Sequence, residues 1–265
     1  MKTEVMTITP ELAKDMLRGN QRNRPLKDSY VRLLAQDMKD GKWALNGVPI
    51  IFNGKLLIDG QHRLSACVKA ERSFRTLVVN DVEADAFVTI DVGKKRTAAD
   101  TLATKGEQNY SLTAAAAAIV YSYYNDGDGN KHRMANRSGN NRVIADAMKT
   151  YPALRASVAH CVGRRTKIIP ISIMTACHYI FSRIDTVQAD DFIERLYTGA
   201  NVAAGTPMEE LRNRLLDNCL SSRKLSRGYV ASLVIKAWNA ERTGRSIKRL
   251  RGWTGDSNEA FPVAV

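Results

Sequence analysis

The stretch Val48-Pro49-Ile50-Ile51-Phe52-Asn53-Gly54-Lys55-Leu56-Leu57-Ile58-Asp59-Gly60-Gln61-His62-Arg63 constrains the fold of this chain more than any other. Two short apolar runs, Val48–Phe52 and Lys55–Ile58, flank Asn53-Gly54. Asn-Gly in that setting is a strong local signal for a β-hairpin, because both residues tolerate positive φ. The second run breaks at Gly60 and opens directly into a helix with Leu64, Cys67 and Val68 on one face. A strand that turns at glycine into a helix leaves backbone N–H groups at the positive end of the helix dipole. Gln61, His62 and Arg63 add three side chains able to hold an anion there, so the turn reads as a phosphate site.

The rest of the chain predicts an α+β fold: a small mixed sheet with helices, followed by an all-helical region. Tyr30, Leu33, Leu34 and Met38 give helical spacing over 26–40, closed by Gly41. Strands are expected at Arg75–Val79 and Phe87–Ile90. Asp91-Val92-Gly93 then turns into Lys94-Lys95-Arg96 and a helix over Thr97–Ala103. Tyr110–Tyr124 is helical, Asp126–Asn130 is a break, and helical patterns continue to about Thr243. Thr206-Pro207-Met208-Glu209 is a capping box with proline at the first helical position. Thr186 and Ser226 are expected N-caps, Gly199 and Gly244 C-terminal stops. The expected division is an α+β domain over 1–105, a basic helical domain over 106–252 and a tail over 253–265.

Charge points to a polyanionic partner. The formal net charge is +13, and surplus Lys and Arg gain free energy by releasing counterions from nucleic acid. Lys131–Lys167 holds nine Lys/Arg against one acid, Asp146, and Ser221–Gly252 holds nine against Glu241. DNA phosphate contacts are therefore expected from Arg164, Arg165, Arg245, Lys248, Arg249 and Arg251, with Lys94 and Lys95 from the earlier basic turn. Tyr229, Trp238 and Trp253 could stack on bases, although Trp238 lies among Val234, Ile235 and Ala237 and suits a core better. No helix-turn-helix pattern supports base-specific readout.

Four scattered cysteines without CxxC spacing fit a reducing cytoplasm, and no leader or membrane-spanning run is visible. His160-Cys161 and Cys177-His178 pair metal-ligating atom types, but adjacent residues point in different directions, so they read as core. No Ser/His/Asp arrangement and no Walker-type loop is visible in the sequence.

The helix ending in Gly41, the run Val48-Pro49-Ile50, the hairpin and Asp59-Gly60-Gln61-His62-Arg63 together resemble the ParB/sulfiredoxin superfamily. Asn20-Gln21-Arg22-Asn23-Arg24-Pro25 is similar to the opening of ParB domains. The likeness covers roughly residues 5–100 and is nearest to the DGQHR subgroup, found in DndB-like DNA-modification regulators and phage proteins. It implies nucleotide or nucleic-acid binding in the cytoplasm of a bacterial or phage-infected cell. Some members hydrolyse CTP or ATP, and some phosphorylate small substrates. ParB CTPases usually carry Gly-Glu-Arg-Arg where this chain has Gly60-Gln61-His62-Arg63, and their later Glu-Asn-x-Gln-Arg motif has no match here. Gln61 stands where sulfiredoxins carry cysteine, which removes the nucleophile for sulfinic-acid repair.

Three alternatives follow. In the first, an Mg²⁺-dependent NTPase or phosphotransferase holds ATP or CTP phosphates with Gly60, Gln61, His62, Arg63, Arg22, Arg24 and Arg96. Asp59, His62 and Asp91 would carry the chemistry, and Asp59 and Asp91 would hold Mg²⁺. In the second, a non-catalytic DNA-binding regulator, as a monomer or a homodimer, grips backbone phosphate with the same turn. In the third, the chain is a nuclease or a kinase of a small molecule or DNA base. The competing structural roles are plain: Gly60 as a left-handed turn, Arg63 in an ion pair, His62 as a turn stabiliser and Asp59 as a cap.

Overall fold

The computed structural model describes residues 1–21, 23, 25–83, 97–125, 141–164, 166–255 and 260–265, without the side chains of 141 and 142. The chain divides into two compact units, Met1–Lys94 and Lys95–Val265. The architecture is α+β, as expected from the sequence.

Among the described residues, the first unit is a four-stranded sheet with three helices. Strands β1 (Lys2–Ile8), β2 (Ile50–Asn53), β3 (Leu56–Asp59) and β4 (Phe74–Asn80) lie in the order β1-β4-β2-β3. β1 runs antiparallel to β4, β2 antiparallel to β3, and β2 parallel to β4. Asn53 pairs with Leu56, so the hairpin turn is Gly54-Lys55 rather than Asn53-Gly54. Gly54, at φ +55°, takes the left-handed first turn position. Helices α1 (Pro10–Leu17), α2 (Asp28–Lys39) and α3 (Gln61–Ala70) pack together over a core that includes Ile8, Ala35, Ile50, Leu57, Leu64, Cys67 and Val78. Thr9 caps α1 by accepting from the Leu12 N–H, with Pro10 at the first helical position. Gly19 fits this unit for a steric reason: a Cβ there would lie 2.2 Å from the Lys55 carbonyl oxygen. Its own carbonyl accepts from the Leu57 N–H at 2.9 Å, which pins the loop after α1 to the hairpin.

The second unit holds α4 (Ala98–Thr104), α5 (Tyr110–Asn125), α6 (Asn141–Thr150), α7 (Leu154–Cys161), α8 (Ile171–Ser182), α9 (Thr186–Thr198), α10 (Pro207–Leu220) and α11 (Arg227–Arg242). The expected boundary at 105 moves to the start of this unit, because Leu102 of α4 is buried in the helical core. The expected tail is part of that core as well. Trp253 and Phe261 are buried in it, Ala264 donates to the Tyr123 hydroxyl, and Val265 accepts from the Trp238 indole. Thr97 closes a capping box with Asp100 at the start of α4. Thr206 caps α10 by accepting from Glu209, whose carboxylate accepts from the Gly205 N–H rather than from the cap itself. Asp185, not Thr186, caps α9. Ser226 caps α11, and Gly199 ends α9 at φ +76°. The expected strand Phe87–Ile90 and the break Asp126–Asn130 lie outside the described residues.

Candidate functional site

The Gly60 turn joins β3 to α3. Gly60 sits at φ +112°, and a Cβ there would come within 3.0 Å of the Ile50 side chain, so glycine is required for both conformation and space. The Arg63 and Leu64 N–H groups both donate to the Gly60 carbonyl at 3.0 Å.

Arg63 does not present an open fork. Its Nη1 donates to the Val48 carbonyl at 2.7 Å, and its Nη2 to the Pro49 carbonyl and to Asp59 Oδ2, both at 2.8 Å. The side chain is only 12 % exposed. The two carbonyls precede β2 and lie outside its ladder, so they need a donor, and the guanidinium supplies it. Arg63 thus ties the start of α3 to the entry of β2, and the phosphate contact expected of it would have to displace one of these partners. The same contact occupies Oδ2 of Asp59, one of the two residues expected to hold Mg²⁺.

The neighbouring side chains are engaged too. His62 Nε2 accepts from the Lys27 N–H at 3.1 Å, which in a neutral ring leaves the proton on Nδ1, and its ring meets Tyr30 edge-on. Gln61 is buried and accepts from Asn20 Nδ2 at 3.1 Å. Asn23 donates to Asn20 Oδ1 and to the Leu57 carbonyl, each at 2.8 Å. The Asn-rich segment and the Asp-Gly-Gln-His-Arg turn, separate motifs in the sequence, are thus one hydrogen-bonded network. Arg22, Arg24, Asp91, Lys94, Lys95, Arg96 and Arg165 lie outside the described residues. A hollow of about 530 Å³ in this unit is lined by Asp15, Arg18, Gly19, Lys55 and Asn80, and no residue of the Gly60 turn borders it.

In the second unit the basic residues separate into two groups. Arg164 pairs with Glu194 at 2.9 Å and donates to the His160 carbonyl. Arg155 makes a two-pronged contact with Glu107, and Arg195 bridges Asp191 and Glu241. Arg245, Lys248, Arg249 and Arg251 are exposed, and none of them forms a salt bridge with a described residue. They lie on a segment that leaves α11 and folds back along it. The Arg251 carbonyl accepts from Lys236, Trp253 donates to the Ser232 hydroxyl, and Gly252 lies against the Tyr229 ring, where a Cβ would meet Cδ1 at 2.5 Å. Burial of Leu250 and Trp253 fixes the segment and leaves its cations outward. Trp238 stacks on Phe181 at 4.3 Å and Trp253 packs on Phe261, so neither tryptophan is offered to a base.

One cluster was not visible in the sequence. Ser157 Oγ lies 2.9 Å from His178 Nδ1, and His178 Nε2 lies 2.8 Å from Asp190 Oδ1. This is a Ser/His/Asp array, which the sequence reading had not found because its members come from three helices, α7, α8 and α9. Ser157 is 1 % exposed, which leaves it no access to a substrate and makes it a buried polar network rather than a nucleophile. Burial lowers the pKa of His178, against the raising effect of the hydrogen bond it donates to Asp190.

Among the described residues no helix is long and apolar enough to cross a membrane. Comparison with models of known families, with curated proteins and with solved structures finds no match to this chain.

Proposed function

We propose that this chain is a DNA-binding protein that holds the phosphate backbone through its C-terminal basic segment, with a ParB-like N-terminal unit as its scaffold. One observation carries this reading: Arg245, Lys248, Arg249 and Arg251 are exposed on a packed segment without salt bridges to described residues, whereas Arg63 is spent on internal partners. Cations on a fixed backbone neutralise phosphate at little ordering cost. Burial of Trp238 and Trp253 leaves base stacking without these two donors, which favours backbone contact over sequence readout.

The test is a salt series of duplex-DNA binding by fluorescence anisotropy. Four phosphate contacts contribute about 3 to 4 to the slope of log affinity against log salt. The R245A/K248A/R249A/R251A chain should lose that part of the slope. An unchanged slope in this variant would overturn the proposal.

A second reading places a nucleotide phosphate at the Gly60 turn with Mg²⁺. It is favoured by the Asn20–Asn23 loop, whose amides close over the start of α3. It requires Arg63 to exchange Asp59 for phosphate. Calorimetry with ATP and with CTP, each with and without Mg²⁺, decides it: heat that disappears in Asp59→Ala supports the turn as the site, and no heat removes this reading.

A further inference from the structure

We infer that His160, His178 and Asp190 form a binding site for a divalent transition metal of the zinc class, joining α7, α8 and α9. The three residues each offer a ligand atom, and these atoms lie within 4.8 Å of one another. Asp190 Oδ1 is the common point, 2.8 Å from His178 Nε2 and 3.6 Å from His160 Nδ1. Two ligands on one tetrahedral zinc stand roughly 3.3 Å apart, given metal–ligand distances of about 2.0–2.1 Å. The observed separations bracket that value.

The surroundings are those of a metal site. Ser157 Oγ lies 2.9 Å behind His178 Nδ1, an outer contact that orients a metal-bound imidazole; with the ring proton on Nδ1 and donated to Ser157, Nε2 exchanges its hydrogen bond to Asp190 for the ion. Burial lowers the pKa of both histidines. The charged groups that face the pair are Asp190, Arg164 and Glu194, and Arg164 is neutralised by its ion pair with Glu194.

The two rings stack with centroids 4.3 Å apart and planes inclined by 19°. Coordination therefore needs one ring to turn toward the carboxylate. His160 is the ring that can move, with 21 % of its side chain exposed against 5 % for His178. Two imidazoles and one carboxylate select zinc, cobalt, nickel or copper over magnesium and calcium, which prefer all-oxygen shells. Water completes the shell on the exposed side.

The test uses the full chain after treatment with a chelator, titrated with Co²⁺ and then with Zn²⁺. The expected result is one Co²⁺ per chain with the visible absorption of a four- or five-coordinate ion, abolished by Zn²⁺ and not by Mg²⁺. His160→Gln and Asp190→Asn should each weaken Co²⁺ binding by about 10-fold or more, while circular dichroism shows the fold retained. His178 is left unchanged because its burial makes a substitution there a test of folding. Absence of the absorption, or an absorption equal in the wild-type and His160→Gln chains, overturns the inference.

Discussion

The Gly60 turn and the Arg245–Arg251 segment use the same chemistry to opposite ends. At the turn, Arg63 gives its guanidinium to two carbonyls and Asp59, Gln61 receives Asn20, and His62 receives Lys27. Along the C-terminal segment, buried Leu250 and Trp253 hold the backbone, and Arg245, Lys248, Arg249 and Arg251 are exposed. A motif rich in phosphate-binding residue types can thus be a joint, while a segment with no motif carries the accessible charge. Accessibility, more than residue type, separates a ligand contact from a structural one.

The largest effect that would break this contrast is at Arg63. Arg63→Ala removes three charge-assisted hydrogen bonds, taking from Pro49 its guanidinium donor and leaving Val48 with only a long contact from Thr76, so unfolding by urea should show a loss of about 3–5 kcal/mol. Arg63→Lys should recover only part, because an ammonium cannot span the same fork. Loss of less than about 1 kcal/mol would mean that the guanidinium is available for a ligand after all.

Next in size is the four-cation change at 245, 248, 249 and 251. DNA affinity at about 0.1 M salt should fall by about 10²-fold or more. Stability should stay within about 0.5 kcal/mol of wild type, since these side chains are exposed and make no described salt bridge. A matching loss of stability would merge the two regions into one structural class.

A smaller effect is expected at Asn23. Asn23→Ala removes hydrogen bonds to Asn20 and to the Leu57 carbonyl and should cost about 1–2 kcal/mol, read by the same urea titration. The smallest signal is chemical. Burial pushes the Cys67 and Cys161 thiols up to about 11, from an ordinary 9.0, and raises Cys177 further. Their thiolate is suppressed by about 100-fold or more near neutral pH, so native-state labelling should modify Cys219 first and reach the other three only on unfolding.

Local signals carried much of the fold into the sequence. The hairpin, the helix after Gly60, and the caps Thr97, Thr206 and Ser226 were legible because turn residues and caps act over a few positions. β1 was missed: most of its residues are exposed, so it shows no apolar alternation. α1 was missed even though Thr9-Pro10-Glu11 is a sound start signal. The boundary was set too late because burial of Leu102 is decided by contacts with the helical unit, which local spacing does not report.

The candidate site was legible by composition and illegible by state. Gly60, Gln61, His62 and Arg63 do meet at a helix start, but their occupancy depends on Val48, Asn20 and Lys27, which lie 15 to 41 positions away in the chain. His160 and His178 were read only as pairs with their neighbours Cys161 and Cys177. Adjacent side chains diverge on a helix, yet three helices bring distant ones together. Exposure likewise decides between Arg164, held by Glu194, and Arg249, which makes no described ion pair, although both sit in equally basic runs.

Hydrogen–deuterium exchange of the full chain with and without duplex DNA tests the central contrast most directly. DNA should slow exchange across 245–253 and leave 56–66 unchanged, because contact is proposed at the basic segment and the turn is already closed by its own hydrogen bonds. Protection confined to 56–66, with 245–253 unaffected, would contradict the account and return phosphate binding to the Gly60 turn.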